Sequence, residues 1–239
     1  DEHGWESAHT VIDIVTDDRP FLVDTVTARI AEQGCTLRQV WHPILTVARD
    51  ADASLLGLAA EGTTESWLSV EAHPPLGTSA AERTPDLLAA LREGLAASRA
   101  VDEDAAALRG AALKVAGQLH AAGVPEGVQG RPEEVGELLT WLTEGHFEFF
   151  GYRHHRVEDG RFVPDPETGL GLLRGAEAGF AARLPGQDDH ALLVVTRDTR
   201  RSPLHRSSFL DYIGVREFGP DGAIVGEHRF VGLRTPSAL

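Results

Sequence analysis

The stretch from His9 to Gly34, HTVIDIVTDDRPFLVDTVTARIAEQG, constrains the fold of this chain more than any other. Residues 10–15 alternate apolar with small or polar side chains, which is typical of a half-buried strand. Two aspartates and Arg19-Pro20 follow, and then apolar residues recur every fourth position, which predicts a helix with one buried stripe. Gly34 is a natural end for that helix, because glycine adopts a left-handed conformation without strain. The stretch therefore predicts a strand that turns directly into a helix.

The start of this helix is a candidate anion site. We expect Asp18 to cap the helix and Pro20 to occupy its first turn. The first N–H groups of a helix have no partner within it and the dipole is positive there, so this end favours a carboxylate or a phosphate. A plain strand-to-helix connection without a ligand is the alternative interpretation.

The rest of the first half predicts a small α+β domain. Apolar stretches at 35–49, 54–59 and 65–73 indicate strands, with Pro43 marking an edge or a bulge. A second helix is expected to start at Thr84-Pro85, with Thr84 as its cap. Its predicted buried stripe consists of Leu87, Leu88, Leu91 and Leu95. The order fits one antiparallel sheet with both helices on one face, but no final strand is evident, so one edge is left to pair with another copy or with later chain.

The second half predicts another α+β domain on an antiparallel sheet. An alanine-rich helix at 102–122 and a glycine- and proline-rich linker at 123–132 place the domains at 1–122 and 133–239. The second domain is expected to contain one amphipathic helix, two hairpins and five strands, of which the apolar run 192–196 is central. Its elements are similar to those of PAS or GAF sensors, which is an analogy of fold only.

Four blocks carry a family resemblance. The strand–DDRP–helix stretch resembles the opening of an ACT domain, a ferredoxin-type βαββαβ module that often senses amino acids. Residues 141–152, 205–215 and 226–233, which read WLTEGHFEFFGY, HRSSFLDYIGV and GEHRFVGL, resemble the N-terminal regulatory region of the large bacterial NAD-dependent glutamate dehydrogenases. The resemblance implies a regulatory fragment without a cofactor of its own, in a parent enzyme that converts L-glutamate to 2-oxoglutarate with NAD.

The charge argument and the resemblance together predict an effector site. An amino acid's carboxylate is expected on the N–H groups of residues 21–23 and its ammonium beside the two aspartates, while Arg19 holds the loop or binds the ligand. The resemblance adds the start of the second strand, at 39–42. The predicted effector-binding residues are Asp17, Asp18, Arg19, Phe21, Leu22, Val23, Gln39, Trp41 and His42.

One basic cluster is predicted in a loop between two strands of the second domain. Guanidinium groups match carboxylates well, so the cluster suits an anion or docking against an acidic neighbouring domain or subunit. A solvated loop is the alternative. The cluster consists of Arg197, Arg200, Arg201, His205 and Arg206.

Other candidate motifs predict no catalytic, nucleotide or metal site. The segment 169–175, GLGLLRG, misses the spacing of a dinucleotide loop and follows a turn rather than a strand. His154 and His155 should point to opposite faces of a strand and the other histidines are scattered, so no metal site is expected. The only lysine, Lys114, lies in the alanine-rich helix and is a poor candidate for catalysis.

The composition of the chain disfavours several classes of binding partner. The net charge of −15 disfavours nucleic acid and anionic lipid, and no apolar run is long enough to span a membrane. A single cysteine, Cys35, is consistent with the cytoplasm. The chain contains no methionine, which suggests a piece of a longer protein.

We therefore expect a non-catalytic regulatory fragment that senses an amino-acid effector. Its expected partners are the catalytic domain of the same polypeptide and further copies of the chain, in a homo-oligomer. The alternative is an assembly module, in which the open sheet edge and the basic cluster join subunits and no small ligand binds.

Overall fold

The computed structural model describes residues 9–75, 77, 80–121, 124–175 and 190–235. The chain divides into two compact units, the first comprising residues 1–99 with 203–207 and the second residues 100–202 with 208–239. This division places the alanine-rich helix with the second unit, whereas the sequence analysis placed it in the first domain. The contacts of that helix with the following helix and strands account for the difference.

The first unit contains one antiparallel sheet and two helical segments, as predicted. Its strands run in the order β1-β5-β3-β4, and β2 pairs with β5 beyond the end of β3. Pro43 separates β2 from β3, and the carbonyl of Pro43 still accepts a hydrogen bond from the Trp67 amide at 3.0 Å. The elements are β1 Thr10–Asp17, α1 Leu22–Glu32, β2 Thr36–Trp41, β3 Ile44–Arg49, β4 Leu55–Leu58, β5 Thr63–His73 and α2 Ala80–Glu103, of which residues 100–103 belong to the second unit.

The core of the first unit lies between one face of the sheet and both helices. Leu68, Val70 and Ala72 alternate along β5 and are buried against apolar residues of α1 and of the first part of α2. The predicted stripe of α2 is wrong at Leu88, whose side chain is 42% exposed. The helix also begins at Ala80 rather than at Thr84, so Pro85 lies inside it and Thr84 does not cap it.

The second unit packs helices beside a six-stranded antiparallel sheet. The strand order is β7-β6-β11-β10-β9, and the short β8 also pairs with β6. The α4 helix continues into a wider turn at Leu142–His146 before β6 begins. The elements are α3 Ala105–Ala121, α4 Pro132–Trp141, β6 Phe147–Glu158, β7 Arg161–Pro164, β8 Leu170–Gly171, β9 Leu193–Arg201, β10 Phe209–Phe218 and β11 Ile224–Arg234.

The predicted hairpins are confirmed but the predicted central strand is not. Asp159 and Gly160 both have positive φ in the turn between β6 and β7, and Gly222 does in the turn between β10 and β11. The apolar run at 192–196 was expected to be central, yet β9 is the last strand in the sheet order. Val195 in this strand is 58% exposed. An apolar run alone does not tell a central strand from an edge strand.

None of the helices in the described ranges has the length and apolar character that crossing a bilayer requires.

Candidate functional site

The predicted site lies at the corner between β1 and α1. Phe21 precedes the first helical residue and has a φ of 66°, a left-handed conformation that is uncommon outside glycine. Phe21 is the N-cap residue of α1, and its side chain makes no capping hydrogen bond. The predicted cap by Asp18 is therefore wrong. The Asp18 carboxylate does not accept hydrogen bonds from the backbone N–H groups at the start of the helix, as the sequence had predicted that it would.

Asp18 is instead part of a hydrogen-bonded chain inside the first unit. The buried hydroxyl of Ser66 donates to its carboxylate at 2.6 Å. His42 Nε2 lies 2.9 Å from the same hydroxyl oxygen. Two residues predicted for the site, one in the corner and one at the end of β2, are thus joined through a residue that the sequence analysis missed.

Arg19 has the contacts of a residue that holds the corner. Its side chain is only 4% exposed. The guanidinium donates to the Thr16 hydroxyl at 2.9 Å and to the Asp17 carboxylate and carbonyl at 3.3 Å each. Asp17 remains 68% exposed and also lies 3.5 Å from Arg99. The carboxylate of Asp17 is therefore open to solvent, although it is paired with arginine.

Two predicted residues on β2 are solvent-facing. Trp41 is 63% exposed, and Gln39 is also exposed. They pair along the backbone with Ser69 and Glu71 of β5. In the described residues neither of these two side chains hydrogen-bonds to the corner, so the structure joins only His42 of this stretch to Asp18.

The segment 203–207 lies against the first turn of α1. The His205 amide donates to the Thr25 hydroxyl at 2.9 Å, and its ring Nδ1 is 2.8 Å from the Asp24 carboxylate. The His205 and Phe21 rings are 4.7 Å apart. The sequence alone can indicate that Asp24 favours the first turn of a helix, because its charge complements the helix dipole. The sequence cannot indicate a contact between Asp24 and a residue 181 positions away, so the position of His205 beside α1 was not predicted.

The basic cluster is not a loop as predicted. Arg197, Arg200 and Arg201 lie within β9, because that strand continues to Arg201. Arg197 is 3.6 Å from Asp211, Arg200 is 3.6 Å from its neighbour Asp198, and Arg201 lies over the Phe209 ring. With His205 turned to α1, Arg206 is the one member on an exposed connection. The docking role of the cluster stays a prediction.

Close packing accounts for Gly169 and Gly171, two of the three glycines of the segment 169–175. Gly171 has a φ of 56° in β8, and a Cβ atom there would collide with the Phe150 carbonyl. A Cβ atom at Gly169 would collide with the buried guanidinium of Arg153. These glycines let the short strand lie against β6, which is a structural reason for a motif that only superficially resembles a phosphate loop.

The fold of the first unit and its corner define an ACT-type domain. Residues 1–85 match the family described as "Glutamate dehydrogenase, ACT1 domain". This match and the antiparallel sheet confirm the fold class predicted from the sequence, an ACT-type domain followed by a second α+β domain.

The similarity to glutamate dehydrogenases extends over almost the whole chain. The chain is 33% identical over 95% of its length to an NAD-specific glutamate dehydrogenase of Mycobacterium tuberculosis. Identities to proteins of the same name are 29% over 99% of the chain in Pseudomonas aeruginosa and 28% over 98% in Halomonas elongata. The chain spans only 14 to 16% of the length of these relatives. It is homologous to a segment of the large NAD-specific glutamate dehydrogenases, as its resemblance indicated.

Proposed function

We propose that this chain is a non-catalytic regulatory segment of a large NAD-specific glutamate dehydrogenase and that its first unit binds an amino-acid effector at the β1–α1 corner. The parent enzyme would convert L-glutamate to 2-oxoglutarate with NAD, in the cytoplasm and as an oligomer. The observation that carries the proposal is the α1 start without a side-chain cap, beside the exposed carboxylate of Asp17.

The two ends of an amino acid suit the two charges of the corner. A carboxylate is stabilised by backbone N–H groups and the positive dipole end of α1. An ammonium is stabilised by a carboxylate, and that of Asp17 is 68% exposed. The uncommon backbone conformation of Phe21 supports the proposal, because strained backbone is concentrated at functional sites.

Regulation requires that the effector bind two conformations of the enzyme unequally. A hundredfold change in the balance between them corresponds to a difference of about 2.7 kcal/mol in binding free energy. The Ser66 hydrogen bonds join the corner to His42, so a ligand that moves Asp18 would also disturb the end of β2.

Calorimetric titration of the 239-residue chain with the common amino acids tests this proposal. We expect at least one to bind and Asp17→Asn to weaken that binding by about tenfold, because one charge-assisted hydrogen bond is lost. Asp13→Asn is the matched control, since Asp13 is also an exposed aspartate of β1. Failure of every amino acid to bind, or equal losses in the two variants, would contradict the proposal.

The second candidate function is assembly of subunits without a small ligand. It is favoured by the outer edge of β1, which pairs with no other strand among the described residues. Light scattering of the same chain separates the two functions. Self-association that is unchanged by every amino acid, together with silent calorimetry, would favour assembly.

A further inference from the structure

Two histidines and a glutamate that are far apart in the sequence converge in the second unit. His154 Nε2 lies 2.9 Å from one carboxylate oxygen of Glu217, and His228 Nε2 lies 3.1 Å from the other. The three donor atoms all lie within 4.8 Å of one another. The side chains of the histidines are 18% and 11% exposed, and that of Glu217 is 40% exposed. The group is therefore sheltered but accessible.

The register of three neighbouring strands brings this group together. His228 of β11 is directly opposite His154 of β6. Glu217 of β10 is opposite Gly226, which is two residues before His228 and so faces the same side of the sheet. A Cβ atom at Gly226 would collide with the Glu217 carboxylate and lie 3.0 Å from His154 Nε2. The missing side chain of Gly226 makes the room in which the three side chains meet.

A fourth residue fixes the orientation of one imidazole. The buried Tyr152 hydroxyl lies 2.9 Å from His228 Nδ1. When Nδ1 carries the proton and donates to this hydroxyl, Nε2 is left as the lone-pair atom that faces Glu217. Histidines that bind metals usually have this arrangement, in which the other ring nitrogen donates to an oxygen and fixes the tautomer.

A cavity adjoins the group. It has a volume of about 560 Å³ and is lined by α3, the segment after it, and residues of β10 and β11, including Glu217 and His228. Apolar residues such as Val115, Leu119 and Val215 form much of its wall. Two of the three donor residues thus border a space large enough for water or a small ligand.

We propose that His154, Glu217 and His228 bind a divalent transition-metal ion, with zinc as the best match. Two imidazoles and one carboxylate form a three-ligand set that zinc accepts, with a fourth position left for water or another small ligand. Tetrahedral zinc with bonds of ~2.0–2.1 Å places neighbouring donor atoms about 3.3 Å apart. The two nitrogen–oxygen separations, 2.9 Å to one carboxylate oxygen and 3.1 Å to the other, are within a few tenths of that spacing, and the three donor atoms lie within 4.8 Å of one another. The proposal concerns the second unit and does not depend on the amino-acid site.

Titration of the full 239-residue chain with zinc, after treatment with a chelator, tests the site. We expect uptake of one equivalent, and at least tenfold weaker binding in Glu217→Gln and in His154→Gln. Tyr152→Phe should weaken binding by 10- to 100-fold, the usual effect of losing an orienting partner. His190→Gln is the matched control because His190 is exposed and lies outside the group. It should bind zinc as the wild type does.

Cobalt(II) keeps the test decisive if a variant fails to fold. The wild-type chain should give the intense visible bands of four-coordinate cobalt, and zinc should remove them. The proposal is overturned if the wild type takes up no zinc or if cobalt gives only the weak spectrum of its hydrated ion. It is equally overturned if folded Glu217→Gln and His154→Gln, checked by circular dichroism, bind zinc as tightly as His190→Gln. In that case the three residues are only an ion-pair network.

Discussion

The corner of the first unit and the histidine–glutamate group of the second unit are built in opposite ways. In the corner, Asp17, Asp18 and Arg19 are adjacent in the sequence, and the strand and helix that hold them are also local. In the group, His154 and Glu217 are 63 residues apart and meet only because β11 lies between their strands. The comparison shows that local sequence can locate a site without its partners, whereas a site made by sheet register is not visible until strand order is known.

The largest expected effect tests whether the close packing of β8 against β6 stabilises the second unit. Gly171→Ala would place a Cβ atom against the Phe150 carbonyl in a left-handed backbone conformation. We expect a loss of about 3 kcal/mol in the free energy of unfolding, from the combined costs of that conformation and of overpacking. Urea denaturation followed by circular dichroism measures it.

The control for this variant is another glycine of the second unit. Gly110 lies within α3, and a Cβ atom there meets nothing within 4 Å. Gly110→Ala should stabilise the chain by up to ~1 kcal/mol, because alanine favours the helix more than glycine does. If both variants were equally stable, Gly171 would need an explanation other than close packing.

The parts of the fold that sequence predicted are those set by neighbouring residues. The helix end at Gly34, where φ is 76°, and the turn at Asp159-Gly160 both follow from what glycine and aspartate allow in the backbone. The buried positions Leu68 and Val70 follow from alternation along one strand. Each of these features can be inferred without knowledge of the partner strand.

The predictions that failed needed a distant partner. Asp18 was expected to cap α1, but the hydroxyl of Ser66, 48 residues away, binds its carboxylate. Nothing in the local sequence indicates a partner for Asp104, but its side chain is only 13% exposed and binds Arg174, 70 residues away. The convergence of His154 and His228 was missed for the same reason. The hairpin register alone would have placed Glu217 and His228 on one face.

The second prediction sharpens the comparison by asking how far the corner depends on that distant hydroxyl. Ser66→Ala removes the buried hydroxyl that Asp18 and His42 share. We expect a loss of about 2 kcal/mol, because two hydrogen bonds are lost and one of them is to a carboxylate. Hydrogen exchange should also become faster in the 17–25 region, which urea denaturation alone cannot reveal.

Ser69→Ala is the control for this variant. Ser69 lies three residues further along β5 and is half-buried. Its substitution should change stability by less than about 0.5 kcal/mol and leave exchange in the corner unchanged. Equal effects of the two variants would mean that the corner is stable on local contacts alone.

The smallest expected effect concerns the carboxylate of Asp104, whose contribution to the stability of the second unit depends on pH. Burial alone would raise the pKa of Asp104, but hydrogen bonds from the Arg174 side chain and the Gly171 amide lower it below its ordinary value of 3.8. The stability that the charged form contributes is therefore complete above that value and is lost as the pH falls through the lowered folded-state pKa. Asp104→Asn retains an oxygen for the Gly171 amide but loses the charge and replaces one of the two oxygens that face Arg174 with an NH2 group, so we expect a cost of about 1 kcal/mol at pH 7. Urea denaturation at pH 7, and as far below pH 4 as the chain stays folded, should show that the difference in stability from wild type becomes smaller as the pH falls.

Asp102→Asn is the control for this variant. Asp102 is exposed and lies two residues before Asp104, so its substitution should show no difference in stability from wild type at either pH. A gap for Asp104→Asn that stays constant with pH would mean that its ion pair with Arg174 contributes nothing and that only the shape of the side chain matters.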